Sequence, residues 1–188
     1  MKRLAVLSAI LVTMGSIGFQ AQAGGSYSDK LILYVPNRIV SLFDIFSLDL
    51  GYGPSLKADL QATKAMDFGA GVGSTAKIVK GYNRQYGFDL EKGYKLAFGP
   101  MTSEDVEVTN SINNVQEYWY TAKGLPDYTD RIYDIEDGAR DYWAVGGGAA
   151  CLVEVNAYLH PIDIANFVTG FFLYNIKDNE YTLDNTRY

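Results

Sequence analysis

A two-residue alternation from Leu48 to Ala62 limits the fold of this chain more than any other feature. Apolar residues occupy every second position, and charged residues, small polar residues or glycine occupy the positions between them. Successive side chains of a β-strand point to opposite faces of the sheet, so the pattern predicts a strand with one apolar face. Such a face requires either a protein core or a lipid bilayer.

The same alternation returns in two following segments, 68–78 and 86–98, each preceded by a short polar turn sequence. Three consecutive strands linked by short turns predict an antiparallel meander. Gly69, Gly71 and Gly73 lie on the second face of the middle strand. Glycine within a strand is typical of a bend or of close backbone approach, so we expect a strongly curved sheet.

Near the C-terminus, the segment from Tyr142 to Leu159 predicts a long strand bent at its three consecutive glycines, 146–148. An apolar run at Leu31–Val35 predicts a further short strand. Two apolar stripes at helical spacing predict helices over Pro36–Phe46 and Pro161–Leu173, each with proline in the favoured first position.

These elements predict a mainly β (α+β) fold. We expect a curved antiparallel meander or partial barrel of about five to six strands, covered by two short apolar helices. The alternative is a small outer-membrane β-barrel, which fits the alternation but requires at least eight strands in bacterial examples. The segments between residues 101 and 141 alternate too weakly to supply the missing strands.

The first 23 residues have the pattern of a signal peptide. Lys2 and Arg3 precede a mostly apolar run, which ends at the small-x-small sequence Ala21-Gln22-Ala23. We therefore expect 1–23 to be removed and 24–188 to form a single exported β-rich domain. Within it, 101–141 is expected to be a loop-rich excursion and 177–188 a frayed polar tail.

Charge and cysteine content narrow the classes of partner. Loss of the two basic residues in the leader takes the formal charge from −6 to −8, which argues against nucleic-acid binding. Cys151 is the only cysteine, so no intramolecular disulfide can form despite export. Stability must come from a core, a membrane or a partner.

No motif in the sequence predicts catalysis or a cofactor. The single histidine, His160, has no second histidine or cysteine to complete a zinc site or a nucleophile pair. The glycine-rich sequence at 69–75 lacks the lysine of a phosphate-binding loop. Acids at Asp134, Glu136 and Asp137 favour a solvated loop, with calcium binding as the alternative. We therefore assign no catalytic, cofactor-binding or metal-ligating residue.

The C-terminal helix is more apolar than a small core requires, which indicates contact with lipid or a partner. If it is a helix, its apolar side chains should be buried against strand residues that include Leu56, Leu90 and Val153. The candidate partner or lipid surface consists of Ile164, Phe167, Val168, Phe171 and Phe172.

The sequences LFDIF, GYGP and HPIDIANFVTGFF resemble segments of exported Gram-negative proteins to which no chemistry is assigned. That resemblance adds nothing to the functional expectation, which depends on the signal peptide and the apolar surface. We expect a non-catalytic cell-envelope protein of the periplasm or outer membrane, with possible peripheral membrane contact, that binds a lipid-like ligand or an envelope protein. The alternative is an integral small outer-membrane β-barrel of structural type.

Overall fold

The computed structural model describes residues 32–181, except the side chains of residues 110 and 111. Within that range the chain forms six strands, two α-helices and one short 3-10 helix. The elements are α1 (Tyr34–Asp44), β1 (Phe46–Thr63), β2 (Met66–Lys80), β3 (Tyr86–Gly99), β4 (Met101–Asn113), β5 (Tyr118–Gly124), the 3-10 helix (Arg131–Tyr133), β6 (Val145–Leu159) and α2 (Pro161–Gly170).

All six strands belong to one antiparallel sheet with the order β5-β4-β3-β2-β1-β6. Neighbouring strands are consecutive in the chain except for β6, which pairs with β1. In the centre of the sheet Leu56 lies opposite Val72 on one side and Cys151 on the other. The predicted meander and the predicted fold class are therefore confirmed.

Two boundaries differ from the sequence prediction because local pattern was weak there. Residues 101–113 form strand β4, although their interrupted alternation predicted a loop. Tyr34 and Val35 begin α1, so no separate strand forms at these two residues, and Leu31 lies outside the described part of the chain. The predicted signal peptide, 1–23, also lies outside it.

The two helices pack against each other at one end of the sheet, next to the start of β1 and the end of β6. The Tyr34 hydroxyl reaches the Phe171 carbonyl oxygen at 3.5 Å, and the Arg38 guanidinium reaches the Phe167 carbonyl oxygen at the same distance. We call this the helix end of the sheet. The opposite end carries the β1–β2 and β3–β4 turns and the start of β6, and we call it the far end.

The tail that follows α2 is ordered as far as the structure describes it. The Asn37 side chain exchanges hydrogen bonds with the Tyr181 backbone, at 3.1 Å to its oxygen and 2.9 Å from its nitrogen. Lys177 is 2% exposed. The expectation of a frayed tail is therefore wrong for 177–181, because these polar residues find partners on both helices and on the β2–β3 turn. Residues 182–188 lie outside the described range.

Candidate functional site

The sheet carries its apolar side chains outward. Leu56 is 67% exposed, Phe98 79% and Trp119 74%, although all three belong to regular strands. Alternate positions on the same strands are buried or half-buried. The outward set includes Leu48, Leu50, Tyr52 and Leu60 on β1, Phe68, Val72 and Ile78 on β2, Phe88, Tyr94 and Leu96 on β3, and Val153, Val155 and Leu159 on β6.

Both helices show the same reversed polarity. α1 buries Asn37, Arg38, Ser41 and Asp44, whereas its apolar side chains Ile39, Leu42 and Phe43 are exposed. α2 buries Asp163 and Asn166. Outward apolar groups are thus common to the strands and both helices, although the Lys92–Glu107 ion pair and Asp105 lie on the same outer face of β3 and β4.

The candidate surface predicted on α2 lies on this exposed side. Ile164, Val168, Phe171 and Phe172 are exposed, and Phe167 is half-buried with its ring 5.0 Å from that of Phe171. The expectation that these side chains are buried against Leu56 and Val153 is wrong, because those strand residues face outward too. The helices instead bury their polar sides against each other, the turns and the tail.

The other face of the sheet is concave and carries charged side chains. At the far end, Lys64 Nζ lies 2.9 Å from Glu104 Oε2 and 3.2 Å from Asp67 Oδ2. Lys95 Nζ lies 2.8 Å from the same Asp67 oxygen, and Arg140 Nη1 lies 3.0 Å from Glu104 Oε1. Each buried carboxylate therefore meets a cation, as burial of charge requires.

A second set of ion pairs lies closer to the helix end. Lys77 Nζ bridges Glu91 Oε2 and Glu154 Oε1, both at 2.9 Å. The Thr75 hydroxyl donates to Glu154 Oε2 at 2.7 Å, and the Asn156 amide donates to Glu154 Oε1 at 2.8 Å. Three strands contribute to this arrangement, β2, β3 and β6, so it joins the two neighbours of β1 across the concave face and extends to β3.

Glycines on the concave face make room for these long side chains. Gly51 lies between Lys77 on β2 and Glu154 on β6 in the strand register. A Cβ added at Gly51 would lie 3.1 Å from Lys77 Cγ and 3.2 Å from Glu154 Cβ. Gly71 lies between Lys57 and Lys95 in the same way. The glycine pattern therefore serves close packing of charged side chains as well as curvature.

Segment 125–144 packs against the concave face between the two edge strands, and we call it the plug. The Tyr133 hydroxyl donates to the Tyr120 hydroxyl of β5 at 3.2 Å. The Gln61 side-chain amide donates to the Ala144 carbonyl oxygen at 3.1 Å, and the Gln85 amide donates to the Ala139 carbonyl oxygen at 3.1 Å. The plug thus contacts β5, β1 and the β2–β3 turn, and the prediction of a surface loop was wrong for its buried residues.

Where the plug meets the helix end, polar groups are tightly packed. His160 Nδ1 lies 2.8 Å from Asp141 Oδ2, and Lys177 Nζ lies 2.8 Å from Asp163 Oδ1. The Lys177 ammonium is also 4.2 Å from the centre of the Tyr82 ring. Burial raises the pKa of the Asp163 carboxyl and that of the Tyr82 hydroxyl.

The acidic turn of the plug uses its carboxylate for local structure. Asp134 Oδ1 accepts hydrogen bonds from the backbone nitrogens of Asp137 at 3.1 Å and Glu136 at 2.8 Å, which holds the pKa of Asp134 below its usual value. Across the part of the chain that the structure describes, no group of three His, Cys, Asp or Glu side chains is placed to hold a metal ion.

Among residues 32–181, no helix is both long and apolar enough to cross a membrane. Comparison of the chain with protein-family models, with curated proteins and with solved structures found no match. The site is therefore defined by its geometry alone: an apolar outer face, a charged concave face and a plug between the sheet edges.

Proposed function

We propose that this chain is an exported, non-catalytic envelope protein whose sheet inserts its apolar outer face into the lipid of the outer membrane. The single observation that carries the proposal is the reversed polarity of the domain. Charged side chains are buried and paired on the concave face, whereas large apolar side chains are exposed on the outer face of the sheet. In water, that arrangement would leave most of the apolar surface hydrated, which is unfavourable.

The height of the apolar band supports lipid as the occupant. On β2 the outward apolar residues run from Met66 to Ile78. Twelve residue steps at about 3.3 Å give about 40 Å along the strand. At the roughly 45° tilt usual for membrane strands, this corresponds to about 28 Å, close to the ~30 Å thickness of a hydrocarbon core.

The ends of the band resemble membrane interfaces in composition. Phe46, Tyr86 and Phe88 lie at the helix end, and the Phe68 and Phe98 rings make an edge-to-face contact with centroids 5.6 Å apart near the far end. Aromatic residues are typical of both rims of the apolar band in outer-membrane sheets. Lys80 places its ammonium 4.4 Å from the centre of the Phe46 ring, as a lysine does at an interface.

The plug supports the same proposal. An open sheet edge is unfavourable in lipid because its backbone groups lack partners. Leu125, Tyr128 and Trp143 of the plug are exposed like the apolar residues of the strands. The plug therefore adds to the exposed apolar surface, and it contacts the edge strand β5 through the hydrogen bond between the Tyr133 and Tyr120 hydroxyls.

Of the two expectations from the sequence, this polarity favours the integral protein over a peripheral or periplasmic domain that binds a lipid-like ligand. We propose a structural role and assign no catalytic one. Membrane fractions washed with alkaline carbonate and with urea test the proposal. The mature protein should stay in the pellet until detergent is added, and its release by either wash would contradict membrane insertion.

A further inference from the structure

We propose that the polar interior near the helix end binds a small organic cation that carries primary ammonium groups. The site is an acid-rich chamber defined by the carboxylates of Asp49, Asp89, Glu91 and Glu154. All four line the cavity of the concave face, whose volume of about 190 Å³ extends as far as Lys64, Glu104 and Arg140 at the far end. That volume is far above the ~15 Å³ that admits a single water, so the cavity has room for a small molecule.

Charge is unevenly distributed along the interior. At the far end, three carboxylates (Asp59, Asp67 and Glu104) are matched by three cations (Lys64, Lys95 and Arg140). In the acid-rich chamber, four carboxylates share only Lys57 and Lys77. The chamber therefore has two more acidic groups than basic ones.

The two surplus acids also lack partners. Among the described residues, no ion pair reaches Asp49 or Asp89, and Oδ1 of each is buried without a hydrogen-bond donor. Asp89 is 9% exposed. A buried carboxylate oxygen without a donor is unfavourable, so each of these oxygens calls for a donor from outside the chain.

A third polar atom without a partner, outside the acidic cluster, belongs to a residue that lines the same cavity. His160 is 2% exposed, and its Nδ1 lies 2.8 Å from Asp141 Oδ2. A carboxylate only accepts, so Nδ1 carries a proton. Nε2 of the same ring is buried and has no partner. This end of the interior therefore holds a further buried polar atom that a polar ligand could contact.

An ammonium ion matches these acceptors better than a metal ion. No three acidic, histidine or cysteine side chains of the described chain converge on a metal position. By contrast, the protein's own ammonium groups already bridge pairs of carboxylates in this interior, as Lys77 does between Glu91 and Glu154. An alkylammonium ligand would make the same contacts with Asp49 and Asp89.

The probe is 1,4-diaminobutane, titrated by calorimetry into the full mature chain folded in detergent, with the neutral 1,4-butanediol as the matched ligand control. We expect saturable one-site binding of the diamine and none of the diol. The double variant Asp49→Asn/Asp89→Asn should bind the diamine at least tenfold more weakly. The variant Glu136→Gln, which removes an exposed acid of the plug outside the cavity, should bind like the wild type.

The inference fails if the folded wild-type chain shows no saturable binding, if calcium binds the chamber in place of the diamine, or if the double variant keeps wild-type affinity. If the double variant does not fold, the changes that the diamine causes in the amide chemical shifts of the wild-type chain test the inference. Shifts centred on Asp49, Lys77 and Asp89 support the chamber, whereas shifts confined to exposed acids overturn it. Neither result depends on what covers the apolar face, so the inference and the proposed membrane insertion can fail separately.

Discussion

Lys64 and Glu104 are 40 residues apart in the chain, yet Nζ of one lies 2.9 Å from Oε2 of the other inside the curved sheet. Their side chains are 1% and 0% exposed. Glu104 also accepts from Arg140 of the plug at 3.0 Å. This one carboxylate therefore connects the β1–β2 turn, strand β4 and the plug.

Glu104→Gln should lower the free energy of unfolding by about 3 kcal/mol, because it removes the carboxylate of Arg140 and leaves Lys64 with Asp67 alone. Urea unfolding in detergent, followed by tryptophan fluorescence, measures the change. The control is Glu136→Gln in the plug, because Glu136 is an exposed acid of the acidic turn. That control should cost under about 1 kcal/mol. Equal costs would show that Glu104 is not buried.

Gly51→Val should separate Lys77 from Glu154, because the added side chain occupies the space between them. We expect a loss of about 1–3 kcal/mol in the free energy of unfolding from overpacking. Ala58→Val on the same strand is the control, since Ala58 faces outward and has room for two more methyl groups. A Gly51→Val variant as stable as Ala58→Val would argue against a packed, charged concave face.

Lys177→Met should destabilise the helix end by about 3 kcal/mol at neutral pH, since Asp163 would be left buried without its cation. Burial already raises the folded-state pKa of Asp163 above its unfolded value. Protonation therefore stabilises the fold, and the stability difference between variant and wild type should shrink as the pH falls through that raised pKa toward 3.8. Unfolding curves across this pH range provide the measurement. A difference that grows on acidification would contradict the burial of Asp163.

Ala23→Arg should leave the precursor unprocessed, because signal peptidase requires a small residue at that position. N-terminal sequencing of the wild-type protein should begin at Gly24. If the wild-type protein retained Met1, the prediction of export, and the envelope location with it, would be wrong.

The strands could be predicted from the sequence because a period of two is a local property. Leu48 to Ala62 alternates almost without interruption, and β1 extends only a few residues beyond it at both ends. Strand β4 could not be predicted, because Glu104, Asp105 and Glu107 break its alternation. The partners that stabilise it, such as Lys64 and Arg140, are distant in the chain.

The side of the sheet on which the charges lie could not be predicted from alternation alone. A period of two separates Leu56 from Lys57 but does not say which of them faces inward. The pairing of Lys57 with Glu154, 97 residues later, decides this, and that contact exists only in the folded chain. The polar residues between the apolar positions were the available signal for a charged interior. Because they were interpreted as solvent-exposed, neither the ion-pair networks nor the plug was predicted.

Cys151 permits the most direct test of the central claim, because this free cysteine is exposed on the outer face, opposite Leu56. A nitroxide attached there, in protein reconstituted into lipid vesicles, should be accessible to oxygen and shielded from a water-soluble nickel relaxant. The same label at Glu136→Cys in a Cys151→Ser background, in the acidic turn of the plug, serves as the reference for an exposed polar position. Lipid insertion predicts that the ratio of oxygen accessibility to nickel accessibility is higher at Cys151 than at the reference position. Equal nickel accessibility at both positions would contradict it.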